Sequence, residues 1–270
     1  MYINSHLHHY QGTEQQHLAW IVVPQLLLAL PFVIALGVYI IAAIRSNPDK
    51  PWPLNRIVYW CIGVTSAVLA ITGPLASLAH TNFAAHMLSH LLLGMFAPLL
   101  MVMAAPMTLL LKTLSTPLAR RLTRMLKSWP SRLLTHPIFT TCLNIGGLWL
   151  LYTTNLYSLM HEHIVLYLLI HVHIFIAGYL YTLSFLYIDP VFHRFSFVYR
   201  SIVLIISLAG HGILSKIIYV QPPSGVSLDQ AKVGGMLMYY GGDMIDLVLI
   251  IILCSHWFRS TRPRMVWHPN

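Results

Sequence analysis

A chain of 270 residues that is 57% hydrophobic and only 9% charged is not a water-soluble domain, which carries roughly 25% charged residues. Its formal net charge of +9 would suit a polyanion, but the basic residues recur in alternate loops between apolar runs instead of forming one surface. That pattern argues against nucleic acid as the partner and for a membrane.

Seven apolar runs follow in chain order, at about 20–44, 57–78, 84–111, 138–156, 164–187, 198–220 and 233–257. Each approaches or exceeds the ~20 residues needed to cross a hydrocarbon core of about 30 Å. Backbone groups in lipid must be satisfied within the chain, so the expected fold is all-α: a polytopic membrane bundle of seven transmembrane helices. Residues 1–19 form a tail holding His6, His8, His9 and His17, without the basic region or cleavage site of a signal peptide. The first run is followed by Arg45, Lys50 and Arg56. The third is followed by Lys112, Arg120, Arg121, Arg124, Lys127 and Arg132, the fifth by Arg194 and Arg200, and the seventh by Arg259, Arg262 and Arg264. Only Lys216 and Lys232 fall toward the other side. The positive-inside rule then puts the N-terminus outside and the C-terminus in the cytoplasm. Three parts are expected: the extracytoplasmic tail 1–19, the membrane domain 20–258 and a basic cytoplasmic tail 259–270.

Between the third and fourth runs, basic residues interleave with Leu and Met at helical spacing. An amphipathic helix on the inner membrane surface and a loop that only enforces topology both fit. Pro31, Pro74 and Pro98 should kink or interrupt the helices that contain them. Cys61, Cys142 and Cys254 stand singly near cytoplasmic ends, where a disulfide framework is not expected.

The polar residues within the spans concentrate the functional signal, because an ionisable group at mid-membrane costs about 2.5–3.5 kcal/mol on insertion scales. His86 and His90 are four residues apart, hence on one face of the third span and roughly 6 Å apart along its axis. Met87 could add a thioether. His171 and His173 on the fifth span are separated by about 200° of rotation. One should point into the bundle and the other toward a neighbouring helix, and the sequence does not say which. His211 lies in the outer half of the sixth span between Gly210 and Gly212. On the seventh, Asp243 beside Gly241 and Gly242 reads as a site residue, whereas Asp246 reads equally well as a structural hydrogen-bonding group. Buried histidines on spans three, five and six share one layer in the outer half, and Asp243 approaches it. Imidazole and thioether with little carboxylate suit copper, Cu(I) above all. His with Asp would suit zinc, and paired imidazoles on facing helices would suit haem.

Several stretches resemble, in order, the multi-span CtaG family of caa3-type cytochrome c oxidase assembly factors. "AAHMLSHLLLGMFAPLLMVMAAP" is similar to the family's His-Met-x-x-His segment with its two later prolines, here His86, Met87, His90, Pro98 and Pro106. "HPIF" begins at His136, and the segment holding His171, His173 and Gly178 ends in Asp189-Pro190. "GHGIL" surrounds His211, and "DQAKVGGMLMYYGGD" runs to Asp243. Ile170 stands where Met is common, Tyr239-Tyr240 where Trp is common, and Asp243 where the family often has Glu. The resemblance covers the second to seventh spans. It implies a non-enzymatic assembly factor in the bacterial plasma membrane, acting on a cytochrome c oxidase subunit and handling copper for it. The expected ligands are His86, His90, one of His171 and His173, His211 and Asp243, with Met87 as an added donor. An extracytoplasmic copper donor and a homodimer sharing a metal site are compatible with this reading. A bis-histidine b-type cytochrome and a zinc-dependent intramembrane enzyme with Asp243 as base remain alternatives.

Overall fold

The computed structural model describes residues 3–46 and 51–261 and, within the first helix, side chains from Val22 onward. The side chains of the histidine-rich tail and the basic tail beyond Thr261 lie outside the described residues. Fourteen α-helices and two π turns make up the described regular structure, with no strand among them. They are α1 (Ile3–Ile44), α2 (Leu54–Ile71), α3 (Gly73–Ala79), α4 (Phe83–Leu91), a π turn (Leu92–Phe96) and α5 (Ala97–Met103). Then come α6 (Pro106–Thr113), α7 (Thr116–Leu126), α8 (Trp129–Leu134), α9 (Pro137–Thr141), a second π turn (Cys142–Gly146) and α10 (Gly147–Thr153). The chain finishes with α11 (Leu156–Glu162), α12 (Ile164–Phe185), α13 (Phe197–Val220) and α14 (Leu228–Thr261). Six helical stretches are long and apolar enough to cross a membrane: Val22–Ile44, Leu54–Ile71, Phe83–Met103, Ile164–Phe185, Phe197–Val220 and Leu228–Thr261. The fourth expected run is helical from Pro137 to Thr153, but the π turn divides it and no part of it reaches that length.

Two expected spans end earlier than their apolar runs. The second breaks where Thr72 is extended and Gly73 takes a φ of 69°, with Pro74 opening the short α3. The third stops at Met103, because Ala105 sits in the left-handed region at φ 52° and Pro106 begins α6. A left-handed alanine is costly, and neighbouring contacts hold it. Tyr39 donates its hydroxyl to the Ala104 carbonyl at 2.8 Å. The buried Asp189 carboxylate accepts from the Met107 and Thr108 N–H groups, at 3.1 and 2.8 Å, and from the Thr108 hydroxyl at 2.7 Å. Asp189 thereby caps α6 from 80 residues away, satisfying donors that a helix N-terminus leaves free. Burial pushes its carboxyl above the ordinary range, and the Thr108 and Met107 bonds pull it back down.

The bundle is drawn tight at glycines. Along α14, Gly235 faces the Ser215 carbonyl of α13, and a β-carbon there would come within 2.8 Å of it; Gly242 lies against the His211 ring. Gly234 and Gly241 accept Phe83 and Leu91 of α4, so α14 wedges between α4 and α13, as small residues permit in membrane bundles. The tightest approach is on α12, where Gly178 rests on the Gly94 carbonyl of the first π turn. Pro98 has no N–H to give that carbonyl four residues earlier, and the turn bonds Ala97 N–H to Leu92 instead. Of the two readings open for the basic connection, the structure has the helical one: α7 and α8 are helices, with Arg120, Arg121 and Arg124 exposed along with Leu118 and Met125.

A methyl group on Gly178 meets backbone, which cannot rotate away. Gly178→Ala is expected to destabilise the fold by about 1–3 kcal/mol in thermal unfolding of detergent-purified protein. Gly37→Ala, with nothing within 4 Å of the added carbon, should leave the midpoint unchanged.

Candidate functional site

The histidines of the third span are set by the start of α4. Asn82 caps that helix, its Oδ1 accepting from Ala85 N–H at 3.1 Å, and Gln230 of α14 accepts from Phe83 N–H at 3.1 Å. His86 follows one turn in and His90 one turn further, both buried. The His86 Nε2 lies 3.0 Å from the Tyr152 hydroxyl. Its ring sits against Phe83, Tyr157 and His161, at centroid separations of 5.9, 5.0 and 6.4 Å. Met87 points elsewhere: it is fully buried and packs on Gly234 of α14.

The two histidines of α12 part company. His171 is buried, and its Nδ1–H donates to the Tyr167 carbonyl at 2.8 Å. That bond leaves the Nε2 lone pair free, the tautomer suited to a ligand. His173 is half-buried on the opposite side, where its Nε2 donates to the Leu143 carbonyl at 3.1 Å. Leu143 belongs to the second π turn, and His173 presses on Gly147 just beyond it. His173 therefore faces the Pro137–Thr153 segment, and His171 faces α3, α4 and α11.

His80, at the end of α3, and His161, on α11, complete this group, with ring centroids 5.5 Å apart. Together with His86, Ser89, Tyr167 and His171 they line a void of about 10 Å³, room for one water or one ion. Its walls hold aromatic rings and no carboxylate. His80 and His161 are at the exposed rim, and partial burial holds both imidazoles below their ordinary range, His80 adding to the effect on His161. Burial likewise pushes the Tyr157 hydroxyl up to about 12.

Deeper along the bundle, His90 has both ring nitrogens buried without a partner among the described residues. Its ring lies against Gly94 of the first π turn. A second void of about 10 Å³ is lined by Met95, Asn144, Tyr181, Ser207, His211 and Asp246. Asp246, not Asp243, is the buried carboxylate of α14. The reason is rotational: Gly242 packs on His211, Asp246 lies four residues on and shares that face, and Asp243 is turned about 100° away and exposed. Among the described residues, no three His, Cys, Asp or Glu side chains close around a single point as a metal-ligand group. The histidines instead form an open string: His80 and His161, then His86 and His171, then His90, then His211.

Three tyrosines of this site were not among the expected residues, and two were legible. Tyr157 precedes His161 by four residues and Tyr167 precedes His171 by four; the rings meet at 5.0 and 4.0 Å, as helical spacing requires. Tyr152 reaches His86 from a different helix, and no local spacing announces it.

Residues 35–260 match the family described as cytochrome c oxidase caa3 assembly factor. The chain belongs to this family. It is also similar to uncharacterized proteins of Mycobacterium leprae, at 25% identity over 86% of this chain, and of Mycobacterium bovis, at 24% over 82%. It spans only 38% and 36% of the length of those relatives. No solved structure matches it. For this assembly-factor family member, the matched region contains every histidine of the string.

Tyr152→Phe removes the hydroxyl partner of a buried imidazole. It should cost about 1–3 kcal/mol of stability, read by thermal unfolding, and His86→Phe in the same background should recover part of that loss.

Proposed function

We propose that this assembly-factor family member handles copper for cytochrome c oxidase, holding Cu(I) at the void between His80, His86, His161 and His171. The observation that carries the reading is that four imidazoles, from the end of α3 and from α4, α11 and α12, line one ion-sized space at one end of the bundle without closing around a single point. Neutral imidazoles in an aromatic and carboxylate-free setting favour a soft monovalent cation over a hard divalent one. The void is of ionic size, and a porphyrin between these rings would need the helices to part. Rim histidines give the ion a way in and out, so the mechanism is ligand exchange without covalent chemistry. The client is an oxidase subunit, and an extracytoplasmic donor supplies the metal.

This reading includes a topology. The segment Pro137–Thr153 makes a seventh crossing, with Trp149 donating to the Gly210 carbonyl of α13 at 3.1 Å. Its apolar length is close to the minimum of about 17 residues for a crossing. The N-terminus is then outside and the C-terminus cytoplasmic, with the basic α7 and α8 on the inner surface of a bacterial plasma membrane and the histidine void opening outward.

Cu(I) titrated anaerobically into detergent-purified protein against a chromophoric chelator should bind. His86→Ala and His171→Ala should each weaken the binding at this void by roughly 10–100-fold or more, the scale known for perturbed metal sites, while His173→Ala should leave it unchanged. Protein that takes up no Cu(I), or that binds it equally well without His86 and His171, would refute the proposal.

A further inference from the structure

Asp243 stands outside both voids, and its position is costly. It is the sixteenth of the 34 residues of α14, more than about 20 Å along the axis from either end, and it is exposed on the outside of the bundle. Among the described residues no ion pair reaches it. Lys232 is 3.9 Å from Asp229, and Lys216 of α13 lies over the Tyr239 ring, 5.1 Å from its centroid. In lipid a bare apolar face needs no cover, since acyl chains are as apolar as leucine. An acidic side chain at that depth is different and calls for a hydrogen-bond donor.

The residues around Asp243 form a stripe. Met236, Tyr240, Asp243, Leu247, Ile250 and Cys254 follow one another at alternating steps of four and three, the spacing that keeps a seam facing a parallel helix. Ile250 is half-buried and the other five are exposed, Tyr240 at 66%. The other side of α14 is occupied by α4 and α13, which pack on Gly234, Gly235, Gly241 and Gly242. No described residue covers the seam.

We propose that this seam is the interface of a homodimer, in which α14 of one copy packs on α14 of a second and the Tyr240 hydroxyl of each donates to the Asp243 carboxylate of the other. The argument is self-complementarity. A two-fold axis along the membrane normal keeps both copies at one depth and in one orientation, and it makes the contact isologous. A donor and an acceptor on one stripe then satisfy each other twice. Tyr240 and Asp243 are such a pair, about 4.5 Å apart along the axis, a step that the length of a tyrosine side chain spans. An unrelated helix would need a donor of its own at this depth, whereas a second copy brings one. Neither void has a residue on the seam, so the dimer stands apart from the copper reading.

The test uses full-length protein carrying Cys61→Ser and Cys142→Ser, which leaves Cys254 on the seam as the reporter. Light scattering in detergent should give a dimer. A short bismaleimide should join Cys254 to Cys254, both in detergent and in phosphatidylcholine vesicles. Moving the cysteine away, by Cys254→Ser with Ile41→Cys, should abolish that cross-link, because Ile41 is 52% exposed on α1, which packs on α2, α6 and α12. Each interhelical hydrogen bond in a membrane changes association by about threefold. Tyr240→Phe removes both bonds and should weaken dimerisation about tenfold when the protein is diluted in detergent or lipid. Asp243→Leu should do the same, while Asp243→Asn, which still accepts, should keep the dimer. Melting curves confirm that each variant is folded before its association is measured. The proposal is overturned if wild type is monomeric, if its dimer gives no Cys254 cross-link, or if folded Tyr240→Phe and Asp243→Leu associate as wild type does. A Cys254 cross-link to a different protein in native membranes, with none between copies, gives the seam to a heterologous helix and overturns the homodimer as well.

Discussion

The contact between Gly178 and the Gly94 carbonyl sets the spacing on which the rest of the site depends. Pro98 deprives that carbonyl of its usual donor, and the chain forms a π turn there in which Ala97 N–H bonds to the Leu92 carbonyl. Only a residue without a side chain can rest against the Gly94 carbonyl, and α12 supplies Gly178 there. Backbone packed on backbone is closer than any contact of side chains. Seven residues earlier on α12, His171 is thereby brought against α4, on the side where His86 and Ser89 line the first void. Without the glycine the two helices would stand apart by a side chain's width.

The second π turn works by the same physics with a different partner. Between Cys142 and Gly146 the ladder is loosened, and the Leu143 carbonyl turns to the His173 Nε2. In lipid-like surroundings a free carbonyl must find a donor in the protein. His173 is thus an internal substitute for a lost backbone bond, and this explains how two histidines two residues apart serve different purposes. A donor committed to a carbonyl is not available as a ligand, whereas His171 uses a carbonyl to orient its ring and keeps the other nitrogen free. The Asp189 cap on α6 belongs to the same category as His173, a polar side chain spent on backbone, and it gives the Asp-Pro pair a structural reason.

Much of this was legible in the sequence, for physical reasons that differ by residue. The all-helical class follows from apolar length alone, and the family follows from motifs carried in order. His86 and His90 could be placed on one face because i, i+4 spacing fixes relative rotation within a helix. Absolute rotation is another matter. Nothing local says that Gly242 is the residue turned toward α13, so the sequence reading favoured Asp243, whereas Gly242 lies against the His211 ring and Asp246 is the buried carboxylate. The choice between His171 and His173 stayed open for the same reason. The early ends of the second and third spans lie beside Pro74 and Pro106, and a proline at the first helical position is a start signal. In a uniformly apolar run that signal is easily overridden by hydropathy. Tyr152 comes from another helix, and only the tertiary structure could supply it.

The open arrangement of the histidines bears on what such a site can do. A closed cage of three or four ligands holds a metal tightly and releases it slowly, because each ligand that lets go is held in place to bind again. Here the imidazoles are spread from the rim at His80 and His161 to His211, and no described group of three His, Cys, Asp or Glu closes around one point. Under the proposed copper reading, each step along the string exchanges one or two ligands for the next, and no step strips the ion bare. The aromatic walls contributed by Phe83, Tyr152, Tyr157 and Tyr167 keep the surroundings apolar, which discourages competing water ligands and leaves imidazole as the main donor available. Spread ligands and dry walls together trade affinity for mobility. Under the same proposal, such a site suits passing a metal on better than keeping it.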